Sequence, residues 1–193
     1  MRLDGSHERN TRRLSSPDPS NPVGYSGDKE RLMNLASLRE IVDDQDLGAL
    51  YAYWTRQRGG RAMPCRADIH PRGIISLLPQ IFLMDICQPL RFRFRLAGTA
   101  ICYRWHADLT GKWLDKLEFD GELETVLDQY ASVARTGIPR VDKEEFVNES
   151  GLYLHYRRLL LPLSEDGESP NMLIGIQKAI GIDGYMAAVP KWV

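Results

Sequence analysis

The chain lacks the cysteine pattern of a disulfide-bonded or metal-binding protein. Its three cysteines are Cys65, Cys87 and Cys102, and no two of them stand at the spacing of a CxxC pair. An odd number of widely separated cysteines outside a secreted chain is typical of free thiols, which behave as small hydrophobic side chains. We therefore expect three buried thiols.

Long hydrophobic runs are missing as well. No apolar stretch approaches the roughly 18 residues that a membrane-spanning helix requires, and the N-terminus lacks the apolar core of a secretory signal. These absences predict a cytoplasmic protein with no membrane partner.

Neither sign of charge dominates. Lys and Arg number 25 against 26 Asp and Glu, which gives a formal net charge of −1 at pH 7. A dedicated nucleic-acid-binding protein normally carries a clear positive excess. The near-zero balance therefore argues against a nucleic-acid partner.

Motifs for catalysis and metal binding are also absent. The chain has no GxSxG nucleophile elbow, and Gly59-Gly60 is not followed by the GK[ST] of a phosphate loop. No two of the four histidines stand at i and i+3 or i+4, the spacing that makes two ligands on one helix face. The sequence therefore predicts no catalytic residue, no metal site and no enzyme activity.

The N-terminal third divides into two parts. Residues 1–30 are poor in large apolar side chains and rich in Ser, Pro, Asn, Gly and Arg, so we expect a disordered tail. Within residues 31–60, apolar residues recur at three- and four-residue steps and predict a helical extension that ends at Gly59-Gly60. Its apolar face is expected to pack against the rest of the chain or against a second copy, and a homodimer is predicted on this basis.

From Pro79 onward the hydrophobic period changes to two. The segments "IFLMDIC" and "LRFRFRLAG" predict a hairpin of two strands, and a helix follows at "ELETVLDQYASVARTG". Three further strands are predicted at "RVDKEEFVN", "LYLHYRRLLLPL" and "NMLIGIQKAI". The order predicts an α+β fold, in which a five-stranded antiparallel sheet carries its helices on one face.

The second predicted strand places three arginines on one face. Arg91, Arg93 and Arg95 alternate with Phe92, Phe94 and Leu96. An arginine stripe at strand spacing is most often the solvent side of a sheet. A guanidinium group can also bind a phosphate or a carboxylate through two parallel hydrogen bonds. A surface for a nucleotide second messenger, a nucleic acid or an acidic partner therefore remains an alternative.

Aromatic and half-polar side chains gather on the hairpin, on the crossover that follows it, on the longer helix and on the fourth strand. They suit the wall of a ligand pocket, because ligand sites are mostly apolar with a few polar groups, although each of them can equally fill a core. The candidates are Phe92, Phe94, Ile101, Tyr103, Trp105, His106, Trp113, Tyr130, Tyr153 and His155.

Several separated segments, taken together and in order, resemble the single-domain PAS proteins of alphaproteobacteria. These segments are "YWTRQRGGRAMPCRADIHP", "LLPQIFLMDI", "RFRFRLAGTAI" and "DLTGKWLDKL", followed by "YASVARTGIPRV" and "LYLHYRRLLLPL". The resemblance covers roughly residues 35–180 and implies a PAS fold, whose sheet and crossover helices enclose a ligand pocket. The PAS-like domain itself is predicted over residues 61–193.

The same resemblance implies a sensory or regulatory function. Such domains usually signal through a dimer contact or a partner surface, so we expect a homodimer, a signalling protein partner and an unidentified small-molecule ligand. Haem-binding members usually take their iron ligand from the long helix, which has no histidine here, and the sequence around Cys102 does not resemble the motif of photochemical flavin domains. The expected function is therefore non-catalytic, without haem or flavin.

Overall fold

The computed structural model describes residues 39–41, 43–117, 123–147 and 153–183. The tail predicted over residues 1–30 lies outside this part of the chain. Among the described residues, no helix is both long enough and apolar enough to cross a membrane.

The described chain folds around one antiparallel sheet. Its strands are β1 (Ile81–Cys87), β2 (Arg91–Ala97), β3 (Arg140–Val147), β4 (Tyr153–Leu163) and β5 (Met172–Asp183), in the spatial order β2-β1-β5-β4-β3. The helices are α1 (Gln45–Arg58), α2 (Thr99–Arg104) and α3 (Leu123–Thr136), with 3-10 helices at Arg66–Asp68, Pro71–Gln80 and Leu114–Lys116. Every strand pair is antiparallel, which confirms the predicted sheet and its α+β class.

The sheet is covered on both faces. The strand β4 contains the apolar run "LLLPL", which can be fully buried only if both sides of the strand are covered. Leu159 and Leu161 pack in a core that includes α1, whereas Leu160 packs in a second core with residues of α2 and α3. The crossover helices thus lie on one face, as expected, and the N-terminal helix adds a layer on the other.

The N-terminal helix packs against the chain's own sheet. Asp44 caps α1 by accepting hydrogen bonds from the N–H groups of Asp46 and Leu47, and Gly59 ends it with φ of 57°. Trp54 is buried and donates its Nε1–H to the carbonyl oxygen of Pro162 in β4, at 2.8 Å. The apolar face of α1 is therefore used within the molecule.

A bulge changes the alternation predicted for β2. Leu83 pairs with Leu96, but the next residue, Met84, pairs with Phe94, so that Arg95 is the extra residue. Phe92 and Phe94 are buried as expected, whereas Leu96 is 43% exposed. The expectation that Leu96 shares the face of the two phenylalanines is wrong, because one inserted residue reverses the side on which it lies.

Candidate ligand site

A cavity of about 30 Å³ lies between the sheet and the helices α2 and α3. On the scale of a water molecule, this volume holds one or two waters. Side chains from four strands, both helices and the crossover segment line it: Phe82, Phe94, Ile101, Trp105, Leu114, Leu117, Val126, Tyr130, Tyr156, Arg158 and Gln177.

One wall of the cavity is aromatic. The ring of Phe82 lies 6.1 Å from that of Phe94 and 6.3 Å from that of Tyr130, all at tilted angles. Gly175 on β5 makes room for this arrangement, because a Cβ at that position would overlap the ring of Phe82. The wall is therefore set by close packing between three strands and α3.

The polar wall of the cavity centres on Arg158 of β4, which is only 3% exposed. Its Nη2 donates to Oε1 of Gln129 and lies 3.3 Å from Oε1 of Glu144, while Gln129 Nε2 donates to the same Glu144 oxygen at 2.6 Å. The guanidinium lies 4.8 Å from the centre of the Tyr130 ring, a cation–π distance. The buried cation of β4 is thus bound by one residue of the helix α3 and one residue of the edge strand β3.

Burial controls the ionisation of these groups. It lowers the pKa of Arg158, but Tyr130, Tyr156 and Glu144 outweigh it and leave the pKa above its ordinary value. Burial raises the pKa of Tyr130 to about 12, so its phenol stays protonated at neutral pH. Arg158 is therefore a permanent charge beside a neutral ring.

Two guanidinium nitrogens near the cavity have no partner. The Nε of Arg158 is buried and makes no hydrogen bond, and the same is true of the Nε of Arg104 on α2. Arg104 donates from Nη2 to the carbonyl oxygen of Gln177 at 2.8 Å. Burial lowers the pKa of Arg104 to about 10, which leaves it charged at neutral pH.

The carboxylates of the polar wall do not balance its cations. Asp142 accepts from Arg140 at 2.8 Å and lies 3.9 Å from Arg158, and Glu144 is the other acid. The two acids therefore pair with Arg140 and Arg158, while Arg104 has no carboxylate partner among the described residues. The wall carries one positive charge in excess.

Four of the predicted pocket residues line the cavity: Phe94, Ile101, Trp105 and Tyr130. Phe92 packs behind them, with its ring 5.5 Å from that of Tyr130. The ring of Trp113 lies instead at the sheet edge, under the guanidinium of Arg91 at 4.1 Å.

Three other predicted pocket residues, Tyr103, His106 and His155, do not line the cavity. Tyr103 lies on the outer side of α2 and is 55% exposed. His106 comes just after the helix and is exposed beside Tyr103. His155 binds Glu145 at 3.0 Å and lines a separate surface groove at the ends of β3, β4 and β5. The side chain of Tyr153 lies outside the described part of the chain.

The strand β4 faces the cavity with Tyr156 and Arg158, the opposite alternation from the one assumed for Tyr153 and His155. A strand buried on both faces gives no amphipathic signal to fix which residues point inward. The useful signal was the pair Arg157-Arg158, because adjacent strand residues point to opposite faces. One of the two arginines therefore lies on the face of β4 that α3 covers.

The three arginines of β2 have carboxylate partners within the chain. Arg91 makes two hydrogen bonds to Asp115, at 2.9 and 3.0 Å. Arg93 and Arg95 each lie 3.1 Å from Asp85. These ion pairs compete with any external anion for the surface formed by Arg91, Arg93 and Arg95.

The remaining reactive groups are the possible metal ligands and the three cysteines. Within the described ranges, no group of three or more His, Cys, Asp or Glu side chains is placed to hold a metal ion. The three cysteines are free and only half-buried, so the expectation of full burial is wrong. Cys102 lies on α2 with its Sγ 3.6 Å from the carbonyl oxygen of Ala97, because its side chain turns back toward the end of β2.

Comparison with known proteins places the chain in a family. Residues 42–178 match the family model described as PAS domain, and no curated protein matches. Similar solved structures include a LOV protein of Rhodobacter sphaeroides, 14% identical with a TM-score of 0.45, over 72% of this chain and 69% of that one. Another is the PAS domain of an HTR-like protein from Haloarcula marismortui, 16% identical with a TM-score of 0.40, over 54% and 92%. Because the family match spans well over half of its length, the chain belongs to the PAS domain family of sensory domains.

Proposed function

We propose that the chain binds a small molecule in the cavity beside Arg158 and reports its presence through protein–protein contact, without chemical turnover. The observation that carries this proposal is an aromatic cavity that contains a buried, incompletely paired cation. Ligand sites typically combine an apolar lining with a few placed polar groups, and this cavity has Tyr156, Arg158 and Gln177 in an otherwise apolar wall.

Binding requires the cavity to enlarge. Its volume of about 30 Å³ is far below the roughly 300–1,000 Å³ of typical small-molecule sites. The wall best able to yield is residues 105–117, the described part of the crossover. Trp105 and Leu117 are only half-buried there, and the regular structure that these residues form is the 3-10 turn at Leu114–Lys116. Movement of this segment on binding would alter the surface next to β2 and supply the signal.

The absence of turnover is proposed from the chemistry of the lining. A general base must lose its proton near the working pH, whereas the raised pKa of Tyr130 keeps its phenol protonated. Arg158 is likewise held in its charged form. Such groups bind a ligand and orient it, but they do not move protons at neutral pH.

We further propose that the output is a homodimer contact or a separate signalling partner in the cytoplasm. Exposed apolar side chains, including Ile75, Tyr103 and Ile180, provide surface for such a contact. Light scattering over a range of concentrations tests the homodimer, for the full chain and for a form that begins at residue 39 and so keeps the buried Ile41 and the helix cap Asp44. A monomeric mass for both forms at the highest concentration contradicts it.

Native mass spectrometry of the freshly purified chain tests ligand binding. We expect a non-covalent adduct of low mass that disappears when the same sample is denatured, and an absorption spectrum without haem or flavin bands. The bare chain mass under native conditions, together with no thermal shift in a metabolite library, would refute the proposed binding function.

A further inference from the structure

The buried Nε of Arg158 indicates which chemical group the cavity accepts. Gln129 and Glu144 both accept hydrogen bonds from Nη2 of Arg158, which is one of the two terminal nitrogens of the guanidinium group. The Nε lies inside the protein without a partner, and Arg158 lines the cavity. An unpaired buried donor on a charged group is costly, so an occupant that accepts a hydrogen bond is favoured.

We infer that the ligand is a small monocarboxylate with an apolar body, whose carboxylate binds Arg158. This inference rests on the proposed ligand-binding function and specifies the chemical class of the ligand. The carboxylate would accept from the Nε of Arg158 and lie toward the polar wall, where Arg104 reaches the backbone of Gln177.

The charge of the polar wall favours an anion over a neutral acceptor. Glu144 and Asp142 pair with Arg158 and Arg140, whereas Arg104 donates to the carbonyl oxygen of Gln177 and has no carboxylate partner among the described residues, so its positive charge is the uncompensated one. A single negative charge balances this excess. A phosphate dianion would leave an uncompensated negative charge in a buried site, which is strongly unfavourable.

The apolar wall defines the rest of the ligand. Phe94, Ile101 and Leu114 are among the apolar side chains that line the cavity. An aliphatic or aromatic body can pack there and gain the free energy of leaving water. A very polar acid such as a sugar acid would bury unpaired hydroxyl groups against the same surface.

Paired acids and amides test this inference. Thermal shift and calorimetry are run with butyrate, hexanoate, benzoate and phenylacetate, each beside its neutral amide, at constant ionic strength. We expect at least one acid to bind about tenfold or more tightly than its amide, because hydrogen bonds to charged partners are stronger than neutral ones.

Variants identify the group responsible. Arg158→Gln alone leaves Glu144 buried without its cation, so the double variant Arg158→Gln/Glu144→Gln is the informative one. It is expected to fold and to lose the preference for acids over amides. The matched control is Arg157→Gln, since Arg157 lies on the opposite face of β4 and pairs with Asp44 at 3.7 Å; it is expected to retain the preference.

The outcomes separate this inference from the function on which it rests. Equal binding of acids and amides overturns the carboxylate assignment and leaves ligand binding supported. A co-purified molecule without a carboxylate does the same. If no acid in the set binds, the Nε is satisfied by water alone and the carboxylate assignment is overturned, while native mass spectrometry decides separately whether the cavity binds any ligand.

Discussion

Gly98 stands where β2 ends and α2 begins, and the chain passes there against another backbone. A Cβ at this position would overlap the carbonyl oxygens of Leu78 and Pro79. The N–H of Gly98 donates to the carbonyl oxygen of Ile81 at 2.8 Å, which holds the approach in place. Close packing of backbone atoms, with no unusual dihedral angle, therefore requires glycine here.

The substitution Gly98→Ala is expected to lower the free energy of unfolding by about 1–3 kcal/mol, because backbone atoms yield less readily than side chains to an inserted methyl group. Urea denaturation measures this loss. Gly60→Ala is the control, since a Cβ there meets nothing within 4 Å. Equal stabilities of the two variants would contradict the argument.

Asp44 links a helix cap to the sheet. It caps α1, and its Oδ1 lies 3.1 Å from Nζ of Lys178 on β5. Burial raises the pKa of Asp44, but the hydrogen bonds from Lys178 and from the N–H groups of Leu47 and Asp46 outweigh it and lower the pKa below 3.8. Because the pKa is lower in the folded state, the stabilisation is present above about pH 4 and is lost as the pH falls through the folded-state value.

Asp44→Ala is expected to cost about 0.5–2 kcal/mol at pH 7 through loss of the cap, together with loss of the contact to Lys178. Asp44→Asn retains a capping oxygen and loses only the charge, so we expect it to cost less. Urea denaturation between pH 3 and pH 7 should show the wild type and Asp44→Asn converging in stability toward pH 3. A constant difference across that range would refute the ionic contribution.

At the scale of an element, α1 belongs to the core of the domain. Leu47 and Leu50 are fully buried against the face of the sheet opposite the cavity, in one cluster with Leu159 and Ile174. Removing this helix would expose that face of the central strands. The helix therefore acts as a structural layer, and its residues unfold together with the sheet.

Leu50→Ala is expected to lower the free energy of unfolding by about 2–5 kcal/mol, the range for deleting a buried leucine side chain. Gln45→Ala, at an exposed position of the same helix, is the control and should change stability little. Circular dichroism and tryptophan fluorescence followed through urea denaturation should give coincident transitions, because Trp54 lies in the same core. In a variant in which Trp105, Trp113 and Trp192 are replaced by Phe, so that Trp54 is the remaining tryptophan, a separate early transition of the fluorescence would mean that α1 unfolds independently.

How well each helix or strand could be predicted from the sequence depended on its hydrophobic pattern. Alternation in β2 and the helical period in α1 and α3 come from one-sided burial, which leaves a readable signal. Strands β4 and β5 are buried on both sides, so the sequence predicts that they exist but not which residues face the cavity. Gln177 and Arg158 were missed as cavity residues for this reason.

At the scale of the molecule, the charge distribution decides between the ligand cavity and the arginine surface as binding sites. The chain has a formal net charge of −1. The arginine surface of β2 contains three cations against Asp85 and Asp115, and its ion pairs are partly exposed to solvent. Exposed pairs contribute little to stability, but they reduce the positive potential that would attract a phosphate.

We therefore expect no measurable binding of a single-stranded oligonucleotide or a cyclic dinucleotide at low salt, with any Kd weaker than about 100 µM, the weak end of non-specific binding. The double variant Asp85→Asn/Asp115→Asn frees the three arginines and is expected to gain affinity that falls steeply with added salt, as phosphate contacts do. Fluorescence anisotropy across salt concentration measures both. Micromolar binding by the wild type, abolished when Arg91, Arg93 and Arg95 are all replaced by Gln, would show that the intramolecular pairs do not neutralise this surface and would make it a second ligand site.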